Sequence, residues 1–151
     1  MLNEFYMTEA IEEAKKSKKD IAIGAVIVRG DEIIAKAHNE RELCQQVARH
    51  AEMIVIERAC EKLNNWRLDD CSLYVTLEPC PMCAWAILQS RIKEVYFGSY
   101  DNLYGAMGSK LDLSQLVSSK TIVKGGILEE ECDNLLKQYF EKMRNDNKTK
   151  I

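Results

Sequence analysis

Apolar residues along the chain recur with two different spacings. From position 2 to 17, Met7, Ala10, Ile11 and Ala14 return every three or four residues with Glu and Lys between them, which predicts an amphipathic helix. "IAIGAVIV" (21–28) is instead a run of branched residues. The turn "RGD" and the alternating "EIIAKAH" follow it, so the pair reads as a β-hairpin. Residues 39–49 are polar and read as a loop. Ala51, Ile54, Val55 and Ala59 then share one face of a helix running from about His50 to Leu63, and "NNW" ends it. "CSLYVTL" (71–77) is a strand, and "PCPMCAWAILQS" turns at once into a helix with Pro81 in the first turn, where no amide donor is needed. "KEVYFGS" is another strand, 99–110 a Gly-containing loop, and "KTIVKGG" holds a short strand. The clearest helix is 129–144, where Cys132, Leu135, Leu136, Tyr139, Phe140 and Met143 line one stripe; Phe140 is expected in the core rather than as a base-stacking platform, and the tail "NDNKTKI" to be unstructured.

Helices alternating with strands after the hairpin predict an α/β fold: a mixed five-stranded sheet covered on both faces, a three-layer α/β/α sandwich. The 151 residues suffice for one domain with one core, and no repeat or linker divides them. The formal charge of −3 argues against a general nucleic-acid binder, so an RNA partner would need a local basic patch. Lys137, Lys142, Arg144, Lys148 and Lys150 offer one, either a phosphate-contacting edge or a solvated tail. No apolar run is long enough to span a bilayer and the N-terminus lacks the pattern of a secretory signal, so a cytoplasmic location with no membrane partner is expected.

In that setting six cysteines are not read as a disulfide framework. Cys44, Cys60 and Cys132 are expected to pack. Cys80 and Cys83, one turn apart at a helix start, can place two thiolates on one ion, helped by the partial positive charge of the helix end. His50 is the best-placed of the two histidines to join them. A Cys2His set leaves one tetrahedral position open, the catalytic pattern for zinc, and Glu52 is the candidate proton shuttle. Residues i and i+2 diverge on a helix, but the conflict eases if His50 is the cap. A redox Cys-x-x-Cys pair, a closed site completed by Cys71, and a His50 that only caps its helix are the competing readings.

His50-x-Glu52 followed by Pro79-Cys80-x-x-Cys83 matches the H-x-E…P-C-x-x-C pattern of the zinc-dependent nucleoside and nucleobase deaminases. "GAVIV", "HAE", "NWRL", "LYVTLEPCPMCAWAI", "FGSYD", "GAMGS" and "ECDNLLKQYF" extend the resemblance over roughly residues 3–144, to the bacterial tRNA-specific adenosine deaminases. The resemblance implies a cytidine-deaminase-like fold and one Zn2+ per chain on His50, Cys80 and Cys83. It makes Glu52 the catalytic residue moving protons from water to the leaving amine, and the product inosine at the wobble position of a tRNA anticodon stem-loop. It implies that Asn39 contacts the flipped base, although Asn39 also suits a turn. Asp101 is either an RNA contact or a loop cap, and Glu78 either orients the site or is solvated. A homodimer is expected. Against the usual pattern stand Ala22 for proline, Tyr100 and Leu103 where basic residues are common, Ser118-Ser119 for Asn-His, and Arg49 beside the histidine, expected to meet substrate or a second subunit. These lie where substrate is expected, so deamination of a free nucleobase or nucleoside is the alternative.

Overall fold

The computed structural model describes residues 2–149. Helix α1 (Leu2–Ala14), continued by a 3-10 turn, leads to β1 (Gly24–Arg29) and β2 (Glu32–His38). A short α2 (Arg41–Cys44) and α3 (Ala51–Leu63) precede β3 (Cys71–Leu77) and α4 (Pro81–Gln89). Then come β4 (Glu94–Ser99), a short α5 (Leu113–Leu116), β5 (Ile122–Lys124) and α6 (Glu129–Thr149). The five strands form one mixed sheet in the order β2-β1-β3-β4-β5. β1 pairs antiparallel with β2 and β3, while β3, β4 and β5 run parallel.

Both faces of the sheet are covered. On one, Ala25, Ile27, Leu73, Val75 and Val95 pack against Ile54 and Val55 of α3 and Ile87 of α4. On the other, Val26, Val28, Tyr74 and Tyr96 meet Met7, Ala10 and Ile11 of α1 and Cys132 of α6. Successive residues of β1 and β3 thus serve opposite cores, which is why these strands read as apolar runs. Two glycines permit the close approach. A Cβ on Gly24 would lie 2.0 Å from the Ala10 carbonyl oxygen, and one on Gly98 would lie 2.2 Å from Cys132 Sγ.

The architecture is the α/β/α sandwich expected, with local departures. The first strand begins at Gly24, not Ile21; Ala22 and Ile23 are buried but lie outside the ladder. The polar loop contains α2, whose amides at Glu42 and Leu43 donate to the Asp20 carboxylate. α6 does not stop at 144: it runs through Asn145–Thr149, so only Lys150 and Ile151 of the expected tail lie outside the described residues. Phe140 is 47% exposed, against the expectation of a core position. Cys132 seats α6 on the sheet, Leu135 and Leu136 pack at the edges of the two cores, Tyr139 and Met143 turn to a cavity, and Phe140 is the exposed member of the stripe. Cys44 is likewise exposed where packing was expected, because α2 buries no residue. Cys60 is half-buried and Cys132 buried. No helix among the described residues is long and apolar enough to cross a membrane.

Candidate active site

Parallel strands leave a crevice beyond their carboxyl ends, and here β3 and β4 both point into one. β3 ends at Leu77 and passes through Glu78 and Pro79 to Cys80; β4 ends at Ser99 and opens into the loop that carries Asp101. The cavity there holds about 670 Å³ and is lined by Asn39, His50, Glu52, Cys80, Asp101 and Tyr104, among others.

Two helix starts converge on it. His50 is the N-cap of α3 and Cys80 the N-cap of α4, both in extended conformation, and neither side chain caps its own helix. Each is therefore free to point past the helix end. His50 Nδ1 lies 3.8 Å from Cys80 Sγ and 3.4 Å from Cys83 Sγ. Tetrahedral zinc with bonds of about 2.3 Å to sulfur and 2.0 Å to nitrogen would set its ligands about 3.5–3.8 Å apart. The residues therefore fit such an ion, and the trio is the one group of three metal-ligating side chains so placed among the described residues. Cys71, the competing fourth ligand, sits in the core at the start of β3 and is not in the group.

The electrostatics suit metal binding. The Cys80 thiol is pulled down to about 4 by its hydrogen bond with Cys83 and by the His50 ring, against the opposing effect of burial. The same contact with Cys80, together with burial, pushes Cys83 up. His50 is raised, chiefly by its hydrogen bond with Cys80. Glu52, 4% exposed on the first turn of α3, has its carboxyl pushed up to about 7 by burial. The i, i+2 conflict is resolved by the backbone. His50 is not helical, so it and Glu52 both line the cavity.

The other expected site residues hold the scaffold as well as the cavity wall. Asn39 is 6% exposed and its Oδ1 accepts the Ala51 amide at 2.7 Å, which ties the end of β2 to the start of α3. Asp101 Oδ1 accepts the Leu103 and Tyr104 amides at 3.0 Å each, capping its own turn. Arg49 is engaged within the chain. It donates to Glu40 and to Glu57, each at 3.2 Å, clamping the loop before α3 onto the helix. Glu78 is not solvated: it is 2% exposed and its carboxylate accepts from the loop after β4. A signal for this was present, since Tyr74, Thr76 and Glu78 continue one alternating face of a strand buried on both sides. Tyr139 and Met143 of α6 also line the cavity, brought there by chain-distant packing that local spacing does not encode. Tyr139 donates its hydroxyl to the Lys19 carbonyl at 2.9 Å. Lys137, Lys142 and Arg144 are exposed on α6; the Lys148 side chain and all of Lys150 lie outside what the structure describes.

Known proteins resemble this chain. The sequence profile of the MafB19-like deaminases matches residues 3–144. The tRNA-specific adenosine deaminase of Bacillus subtilis (strain 168) is 48% identical over 150 residues, covering 97% of this chain and 93% of its own. That of Aquifex aeolicus (strain VF5) is 40% identical, covering 97% and 99%. A solved structure from biochemical and structural studies of A-to-I editing by tRNA:A34 deaminases at the wobble position superposes with a TM-score of 0.79. It is 36% identical and covers 87% of this chain and 98% of that one. The sandwich is thus the cytidine-deaminase-like fold. The likeness runs through sequence as well as architecture, and the chain belongs to the MafB19-like deaminase family, beside the tRNA-specific adenosine deaminases.

Proposed function

We propose that this protein is a zinc-dependent hydrolytic deaminase that converts adenosine to inosine at the wobble position of a tRNA anticodon, releasing ammonia. The observation that carries the proposal is a buried carboxyl, Glu52, beside a His-Cys-Cys trio able to hold a metal, in one cavity of about 670 Å³. The names of the full-length relatives supply the substrate class.

His50, Cys80 and Cys83 would hold the zinc ion. When bound, it supplies Lewis acidity that brings proton loss from water toward neutral pH. The chain's own chemistry centres on Glu52. A carboxyl raised to about 7 sits near the operating pH, so it can both accept and return a proton. The water oxygen adds to the purine amidine carbon while Glu52 carries one of the water's protons to the adjacent ring nitrogen, and Glu52 then carries the other from the new hydroxyl to the amino group. The carbon–nitrogen bond breaks, ammonia leaves and a carbonyl remains. Asn39 has its amide oxygen committed to Ala51, which leaves its NH2 end to donate to the base. Asp101 and Tyr104 shape the mouth. The exposed Phe140, with Lys137, Lys142 and Arg144 on the same helix, suits stacking and phosphate contact along an anticodon loop. A homodimer in the cytoplasm is part of this reading.

Glu52→Ala tests it. The variant should keep about one zinc per chain, as one Cys2His site requires, and lose turnover of an anticodon stem-loop by about a thousandfold. Surviving turnover would remove Glu52 from the chemistry, and wild-type protein without tightly bound zinc would remove the metal.

A further inference from the structure

We infer that Glu78 is a positioning residue for substrate recognition, acting through the loop from Asp101 to Ser109 that wraps it. The inference rests on the tRNA reading above. Glu78 follows the last residue of β3, and its amide donates to the Ser99 carbonyl at the end of β4, so its backbone is fixed by the sheet. Its carboxylate is 2% exposed, and no cation is paired with it among the described residues. Four donors from one loop satisfy it instead. Oε1 accepts the Asp101 amide at 3.1 Å and the Ser109 hydroxyl at 2.5 Å. Oε2 accepts the amides of Met107 at 3.1 Å and Ser109 at 3.0 Å. A buried carboxylate needs such partners, because stranding one of its oxygens away from water is costly.

The loop is anchored in the core by Ala106 and Met107 and closes around that carboxylate. Gly105 lies against it: an added Cβ would sit 2.5 Å from Glu78 Cδ and 2.4 Å from the Asp101 carbonyl oxygen. The Gly105 amide donates to Asp101 and the Ala106 amide to Pro79, so the loop is tied to both sides of the carboxylate. Asp101 and Tyr104, the part of this loop that faces the cavity, belong to no strand and lie between the end of β4 and the core anchors Ala106 and Met107. Within that span Glu78 is the side chain that gathers the loop's amides, so the placement of Asp101 and Tyr104 follows it. The residue reads the reaction at one remove: it sets where the mouth of the cavity stands, and so how well RNA is held.

Glu78→Gln isolates this role because it preserves volume and changes two acceptors into one acceptor and one donor. The Ser109 hydroxyl can turn to accept from the new NH2 group, but the Asp101 amide cannot, so the conflict falls at Asp101. Zinc-loaded wild-type and variant enzymes are compared on a wobble-adenosine stem-loop. Glu78→Gln should raise KM about tenfold, the loss of one hydrogen bond to a buried acceptor, with kcat and zinc content unchanged. Combined with Asp101→Ala, it should be non-additive in KM, since both act through one loop. Ser109→Ala, which removes one donor and keeps the carboxylate, should raise KM in the same direction by about threefold and stands in if Glu78→Gln does not fold. Loss of zinc or a fall in kcat at constant KM would assign Glu78 to the cysteine segment and overturn the inference. So would lowered Tm with both constants unchanged, or additive effects. Wild-type enzyme that does not turn over the stem-loop would instead refute the tRNA reading, independently of any variant.

Discussion

Arg49 stands directly beside the histidine of the metal-capable trio, where sequence alone suggests a contact to RNA or to a second subunit. The structure gives it a local task. Its guanidinium bridges Glu40, which is largely buried, and the exposed Glu57, fixing the loop that delivers His50 to the cavity. Bridges of this half-buried kind contribute about 0.5–1 kcal/mol. Arg49→Ala should accordingly lower Tm by about 2–4 °C while kcat/KM stays within about twofold, read by thermal melting and steady-state assay. A large loss of turnover at unchanged Tm would mean that Arg49 reaches the substrate. The contrast with its neighbours shows what single residues disclose. His50, Cys80 and Cys83 are readable as a candidate trio because metal binding favours these residue types where a side chain can point past a helix start, and Glu52 is read beside them from the H-x-E pattern. The structural partners of Asn39, Glu78 and Arg49 are not readable, because Ala51, the 101–109 loop and Glu40 with Glu57 are brought to them by the fold.

Elements were readable where a spacing has one meaning. The stripes of α1 and α3 bury as their periodicity requires, and the alternating β2 forms an edge strand of the hairpin. The run "IAIGAVIV" was less informative, since apolar residues mark burial whether or not they join a ladder, and Ala22 and Ile23 are buried outside one. The stripe of α6 reports an apolar face without reporting which member, here Phe140, is left exposed. Gly98 is where that helix meets the sheet. A methyl group there would press 2.2 Å from Cys132 Sγ and 2.9 Å from the Thr76 carbonyl oxygen. Gly98→Ala should cost about 1–3 kcal/mol of stability through overpacking, measured by urea unfolding. It should also raise KM, because Tyr139 and Met143 move with α6 at the cavity wall. A variant as stable as wild type would show that α6 is not seated through this contact.

At the scale of the whole molecule, a sheet buried on both faces leaves its open crevice at the carboxyl ends of β3 and β4. Every group assigned to the chemistry is delivered there by a strand end or a helix start. A net charge of −3 does not conflict with an RNA substrate, since Lys137, Lys142 and Arg144 lie on the helix that forms part of the cavity wall. What the residue pattern alone leaves open is the choice between an RNA-borne adenosine and a free base, because the proposed metal trio and carboxyl would serve both. Zinc-loaded protein incubated with an anticodon stem-loop bearing adenosine at the wobble position, followed by nucleoside mass analysis, addresses that choice directly. Inosine appearing at the wobble position, with ammonia released in equal amount, is the predicted result. An unchanged stem-loop alongside turnover of a free nucleobase or nucleoside would contradict the account.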